Sequence, residues 1–210
     1  MSTALTIAGR DTVLEVIGAG LVELHERAAV AAAKPRWAAK LPENVLHWRD
    51  WQTLLDERWL LVHVVRNPLD TVASLREVQF MTLPLDLGGQ IVHYREHLEA
   101  GGQFKAEYPD RYHLVVYEQL VAEPEQTIGG LMEALGEMYE PAQLRFNERP
   151  HQLGIEDFKV SVTDAIHDHS LHRWRELLSD AEAEMVWDLT ADLWKQVDPD
   201  GSFIAVPSGC

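Results

Sequence analysis

The chain of 210 residues is long enough for one well-cored domain, or one domain with a small appendage, and 46% hydrophobic with 25% charged residues is the balance of a globular protein. A formal net charge of −16, from 18 Lys and Arg against 34 Asp and Glu, argues against nucleic acid as a partner, because no basic stripe interrupts the acidic surface. No run of about 18 apolar residues offers a membrane span, and the N-terminal residues lack the pattern of a secretory leader. The single cysteine, Cys210, allows no disulfide within the chain, so a reducing, cytoplasmic setting is expected.

Residues 11–33 carry apolar positions at three-to-four spacing and predict an amphipathic helix, with Gly18 and Gly20 as potential break points. After the extended stretch KPRWAAKLP, the segment PENVLHWRDWQTLLDE predicts a second helix, with proline in its first turn and acids near its start. The run RWLLVHVV (Arg58–Val65) is continuous, apolar and β-branched, which predicts a strand buried on both faces. NPLD interrupts it, and TVASLREVQF returns to helical spacing. Residues 85–108 predict a helix interrupted near Gly101–Gly102. A second strand follows in RYHLVVYEQL, its helix in VAEPEQTIGGLMEALGE, and a capped amphipathic helix from Ser179 to Val197 is expected to cover the sheet. Strands alternating with helices define an α/β fold, with a small, mainly parallel sheet flanked by helices in a single domain over residues 1–210. No internal repeat or low-complexity tract is present.

The sharpest chemical feature is LLVHVVRNPLDTVASL. Arg66 follows a buried strand at once, where open α/β sheets bind ligands, and Ser74 lies eight residues on in the next helix. A guanidinium fork and a hydroxyl near a helix N-terminus make a clamp for phosphate. The same spacing also fits an Arg66–Asp70 pair with Ser74 facing solvent.

This stretch is similar to the 3′-phosphate-binding motif of PAPS-dependent sulfotransferases, in which a strand runs into Arg-Asp-Pro and a serine follows in the helix; here Asn67 stands in the aspartate position. VVYEQLVAEPEQTI resembles the Tyr-Glu-x-Leu segment of that family, with Val116 where bacterial members often carry arginine, and the resemblance implies that Tyr117 contacts the adenine. RWAAKLPENVL resembles the Trp-x-x-Lys-x-Pro element and implies that Lys40 stabilises charge near the transferred sulfuryl group. HDHSLHRWRELLS resembles the C-terminal loop that closes over the 3′-phosphate; His167, His169 and Ser170 take the phosphate-facing positions and Trp174 the anchor. The four elements occur in the family's order over residues 35–178.

The resemblance implies a P-loop-NTPase-like sulfotransferase fold. Its donor is PAPS (3′-phosphoadenosine 5′-phosphosulfate), its product PAP, its acceptor a hydroxyl or amine, and no metal is required. The bland readings stand beside it: Lys40 as a surface lysine, Tyr117 as a core tyrosine. Asp164, His167, Asp168, His169 and His172 match no regular zinc spacing. VIGAG lacks the third glycine and the preceding strand of a dinucleotide fingerprint.

The family's Ser-Gly-Thr-Thr-like loop, which wraps the 5′-phosphosulfate, does not occur among the 39 residues before Lys40; TIAGRDT (Thr6–Thr12) is the nearest fragment. The expected fold therefore lacks its first strand–loop–helix unit, leaving an exposed sheet edge open to self-association. Glu23, His25 and Glu26 are available as general bases, and nothing in the sequence selects one. Weak or absent transfer by this chain alone is expected, because a missing phosphate cradle costs more than the about 3–4 kcal/mol of one oxyanion donor. A truncated reading of a complete sulfotransferase and a natural short relative that binds nucleotide or a partner without catalysis are both open. A nucleotide kinase would meet the same missing loop.

Overall fold

The computed structural model describes residues 9–77, 86–148, 163 and 165–203. The parts of the predicted helices at 78–80 and 85, and Asp164, lie outside the described residues. The chain forms two compact units, residues 1–61 with 100–112 and residues 62–99 with 113–210.

The first unit is helical. A π-helical turn, Leu14–Gly18, leads directly into α1 (Ala19–Ala31), so the glycines do not break the helix. At Gly18 a Cβ would lie 2.5 Å from Leu54 Cδ2, so glycine there permits close approach of the next helix. Pro42–His47 form a 3₁₀ turn ahead of α2 (Trp48–Leu55), which packs on α1. The core of this unit is built from Val45, Trp48, Leu61 and Phe104, with Trp59, Tyr108 and Tyr112 packed around it. The Trp48 and Phe104 rings meet edge to face with centroids 5.6 Å apart, a favoured aromatic geometry.

Most of the second unit follows β1 (Leu61–Val65), which pairs with β2 (Tyr112–Val116) in a small parallel sheet. The helix α3 (Pro68–Glu77) starts on Pro68, which has no N–H to lose in the first turn. The helix α4 (Leu87–Glu107) runs without interruption through Gly101 and Gly102, and its continuation from Ala100 belongs to the first unit. Burial of Phe104 in that stretch outweighs the about 1 kcal/mol per glycine of lost helix propensity. β1 is shorter than the apolar run predicted. Val64 is 60% exposed, so one face of the strand is not fully covered.

After β2 come α5 (Tyr117–Ala122), α6 (Pro124–Ala134), the short α7 (Trp174–Leu177) and α8 (Asp180–Val197). Ser179 caps α8: its hydroxyl accepts the Glu182 N–H while the Glu182 side chain accepts the Ser179 N–H, a reciprocal capping box. α3 packs against α7 and α8, enclosing Leu69, Val72, Ala73, Trp174, Val186 and Trp194. The fold class is α/β, mostly helical around a small sheet. No helix among the described residues is long and apolar enough to cross a membrane.

Candidate functional site

The carboxyl end of β1 delivers Arg66, and the elements around it come from three distant parts of the second unit. Arg66 Nη2 donates to the Ser170 carbonyl, and its guanidinium carbon lies 4.8 Å from the centroid of the Tyr117 ring. That placement gives a cation–π contact at the start of α5. Arg66 Nε is buried and has no hydrogen-bond partner. The Arg66–Asp70 approach is a loose 3.8 Å, so the simple ion-pair reading accounts for little of the guanidinium's bonding capacity. From behind, the Tyr94 hydroxyl donates to the Arg66 carbonyl at 3.1 Å, fixing the backbone at the strand's end.

Asn67 caps α3. Its Oδ1 accepts the Asp70 N–H at 2.8 Å, as an N-cap should. Its Nδ2 donates to Asp70 Oδ2 at 2.8 Å and to Glu118 Oε1 at 2.6 Å, and its backbone N–H donates to the same Glu118 oxygen at 3.0 Å. An amide at position 67 thus bridges two buried carboxyl groups, where an ionised aspartate would have no proton to donate to either; this is the physical reason the departure from Arg-Asp-Pro suits this chain. Burial pushes the Glu118 carboxyl up, opposed by the Asn67 hydrogen bonds and by Arg66. Burial, with a smaller contribution from the Glu118 charge, raises Tyr94 well above the usual tyrosine value. Both shifts are toward the neutral form.

Asp70, 1% exposed, holds the C-terminal turn. Oδ2 accepts the His172 N–H at 2.8 Å and Oδ1 accepts the Trp174 N–H at 3.0 Å. Outside this knot, Arg173 clamps Glu77 through two bonds of 2.7 and 2.9 Å, and Arg76 donates to the Leu177 carbonyl at 3.1 Å. The residues from 170 to 182 are therefore docked along α3.

Of the residues singled out from sequence, Arg66, Tyr117 and Ser170 come together. His167 and His169 stack on each other with ring centroids 4.8 Å apart in the same turn, and His167 Nδ1 is buried without a partner. Trp174 is buried as the anchor of that turn. Ser74 sits half-buried on the second turn of α3, and no hydrogen bond joins it to Arg66 among the described residues. Lys40 is exposed in the extended stretch before Pro42 and belongs to the first unit. Among the described residues, no three His, Cys, Asp or Glu side chains are placed to share a metal ion. Asn67, Asp70 and Glu118 were missed as a group. Asn-Pro-x-Asp is legible as N-cap, N1 and N3 of a helix, whereas the Glu118 contact has no local signal.

A sulfotransferase family model matches residues 8–141. Solved structures of sulfotransferase domains share the fold. The sulfotransferase domain from the Synechococcus PCC 7002 olefin synthase aligns with a TM-score of 0.59 at 19% identity, over 73% of this chain and 54% of that one. The sulfotransferase domain from the curacin biosynthetic pathway aligns with a TM-score of 0.51 at 14% identity, over 72% of this chain and 58% of that one. The chain thus spans little more than half the length of these two structures. Among curated proteins, none matches. An arginine-bearing strand end, the following helix and the Tyr-Glu segment all fall within the matched region, and the chain belongs to the sulfotransferase family.

Proposed function

We propose that the second unit binds the 3′-phosphoadenosine part of PAPS and PAP, with Arg66 at the 3′-phosphate. The observation that carries this reading is the meeting at Arg66 of residues from separate motifs. Its guanidinium lies over Tyr117, contacts Ser170, and keeps a buried Nε–H without an acceptor. A phosphate supplies what such a group lacks, two or three strongly accepting oxygens in a fork geometry. Tyr117 offers its ring to the adenine. His167, His169 and Ser170 close the loop over the phosphate, and Ser74 adds a hydroxyl from α3.

The reaction of the family is sulfuryl transfer. The bond from sulfur to the bridging phosphate oxygen breaks, a bond from sulfur to the acceptor oxygen or nitrogen forms, and the acceptor proton leaves to a base. Lys40 is the proposed cation for charge building on the leaving oxygen. The 210 residues contain no Ser-Gly-Thr-Thr-like loop for the 5′-phosphosulfate, so we propose that they hold the nucleotide better than they turn it over. A small hydroxyl or amine compound is the proposed acceptor class.

Calorimetric titration with PAP and with adenosine 5′-phosphate tests the reading. The expected result is at least about ten-fold tighter binding of PAP, equivalent to about 1.4 kcal/mol, with the preference erased in Arg66→Ala. Equal affinity for the two nucleotides, or a preference that survives Arg66→Ala in a folded chain, overturns it. Binding without measurable transfer to any acceptor would assign the non-catalytic reading.

A further inference from the structure

Asp70 is a fully buried carboxylate whose nearest cation, Arg66, stands 3.8 Å away, so charge pairing does not explain its burial. A carboxylate withdrawn from water needs its lone pairs occupied. Here three donors do that, and two of them are backbone N–H groups of His172 and Trp174, 102 and 104 residues downstream. His172 adopts φ +61°, a left-handed conformation uncommon for a residue with a side chain. That conformation redirects the chain after His172 so that the N–H groups of both His172 and Trp174 meet Asp70, while the chain just before it places the Ser170 carbonyl on Arg66. Within the same turn, the Leu171 N–H donates to the Asp168 carbonyl at 2.8 Å. One side chain on the first turn of α3 therefore fixes where the residues from His167 to Ser170 lie relative to the guanidinium.

We propose that Asp70 is a positioning residue for the anion site: it tethers the turn at 168–174 so that His167, His169 and Ser170 are preorganised around Arg66. The proposal rests on the phosphate reading above. Asp70 does not touch the anion; it sets the place of the groups that do. A ligand phosphate exchanges with the Ser170 carbonyl on Nη2, and the tether keeps the turn from leaving when that exchange happens. Without it, part of the binding free energy would go into ordering the turn.

Two measurements on the full chain test this, hydrogen exchange of the unliganded protein and titration with PAP and adenosine 5′-phosphate. Asp70→Asn keeps the shape but turns an N–H donor toward backbone donors. His172→Val changes an exposed side chain and leaves the core intact, yet a β-branched residue resists the left-handed conformation. His172→Gly keeps the N–H and welcomes that conformation. Glu77→Gln weakens the neighbouring Arg173 clamp and leaves the Asp70 bonds in place.

The expected result is faster exchange at the amides of His172 and Trp174 in Asp70→Asn and His172→Val. Their PAP affinity falls about ten-fold or more while adenosine 5′-phosphate affinity stays within about two-fold. His172→Gly and Glu77→Gln retain the wild-type preference. Unchanged exchange in both perturbing variants overturns the tether. Faster exchange with an unchanged preference for PAP overturns the positioning role and leaves the phosphate reading standing. A wild-type chain that binds both nucleotides alike overturns the phosphate reading and this proposal together.

Discussion

The first unit packs Val45, Trp48, Leu61 and Phe104 against further aromatic rings, whereas the second unit surrounds its aliphatic and tryptophan core with buried polar groups. Every buried polar or charged residue among the described residues, His63, Asn67, Asp70, Gln90, Glu118, Thr127, Thr190 and Asp198, lies in the second unit. Burying such groups costs free energy unless each is paired, and an apolar interior avoids that cost altogether. A region whose buried residues are apolar is specified mainly by volume and shape, even though the first unit also buries a carboxyl oxygen, Glu43 Oε2, without a partner. A region that accepts polar groups in its interior must also satisfy their hydrogen bonds, and the groups left over, such as Arg66 Nε and Glu118 Oε2, mark where a ligand or a proton has something to gain.

Phe104→Ala is the strongest test of this contrast. Removing a ring that is 0% exposed from the aromatic core should cost about 3–5 kcal/mol in a denaturant titration. PAP affinity measured on the folded fraction should be unchanged; a parallel loss of affinity would show that the apolar region also shapes the site.

The next effect belongs to His63 in the second unit. Burial, reinforced by the nearby His97, lowers its pKa from 6.5 to about 4. The folded state therefore favours neutral imidazole. The stabilisation is fully present above pH 6.5 and is lost as pH falls toward 4, amounting to about 3 kcal/mol. His63→Gln should flatten that part of the stability–pH profile. Glu118 acts in the opposite sense. Its raised pKa means its contribution is present at low pH and is lost as pH rises through the folded-state value. Glu118→Gln should consequently make the chain relatively more stable near neutrality, read by thermal melts across pH.

Asn67→Asp should cost about 2 kcal/mol at pH 7, because it replaces the donor that bridges Asp70 and Glu118 with another acceptor. The deficit should shrink on mild acidification, when one of the three carboxyls takes up a proton. A pH-independent loss would indicate a packing defect instead. The smallest effect is expected at Ser179→Ala, where loss of the α8 cap should lower stability by about 1 kcal/mol and leave nucleotide affinity unaltered.

Local chemistry made the elements and their order legible in the sequence. Apolar runs, Pro68 and Pro124 at helix starts and the Ser179–Glu182 box act within a few residues, so they can be read without a fold. Arg66 was legible at the carboxyl end of a strand for the same reason, since it follows the apolar run that forms β1. Two local readings were overridden: Gly101–Gly102 did not interrupt α4, and Gly18 served close packing against Leu54. Tertiary structure alone decided what surrounds the arginine. Asn67 and Glu118 are 51 residues apart, and Asp70 reaches His172 and Trp174 across more than a hundred. No periodicity links such positions. The sequence by itself determined that an arginine stands at the end of β1. Only folding determined which buried carboxylate holds the 170–174 turn beside it, because a hydrogen bond depends on where two groups meet in space and not on their separation along the chain.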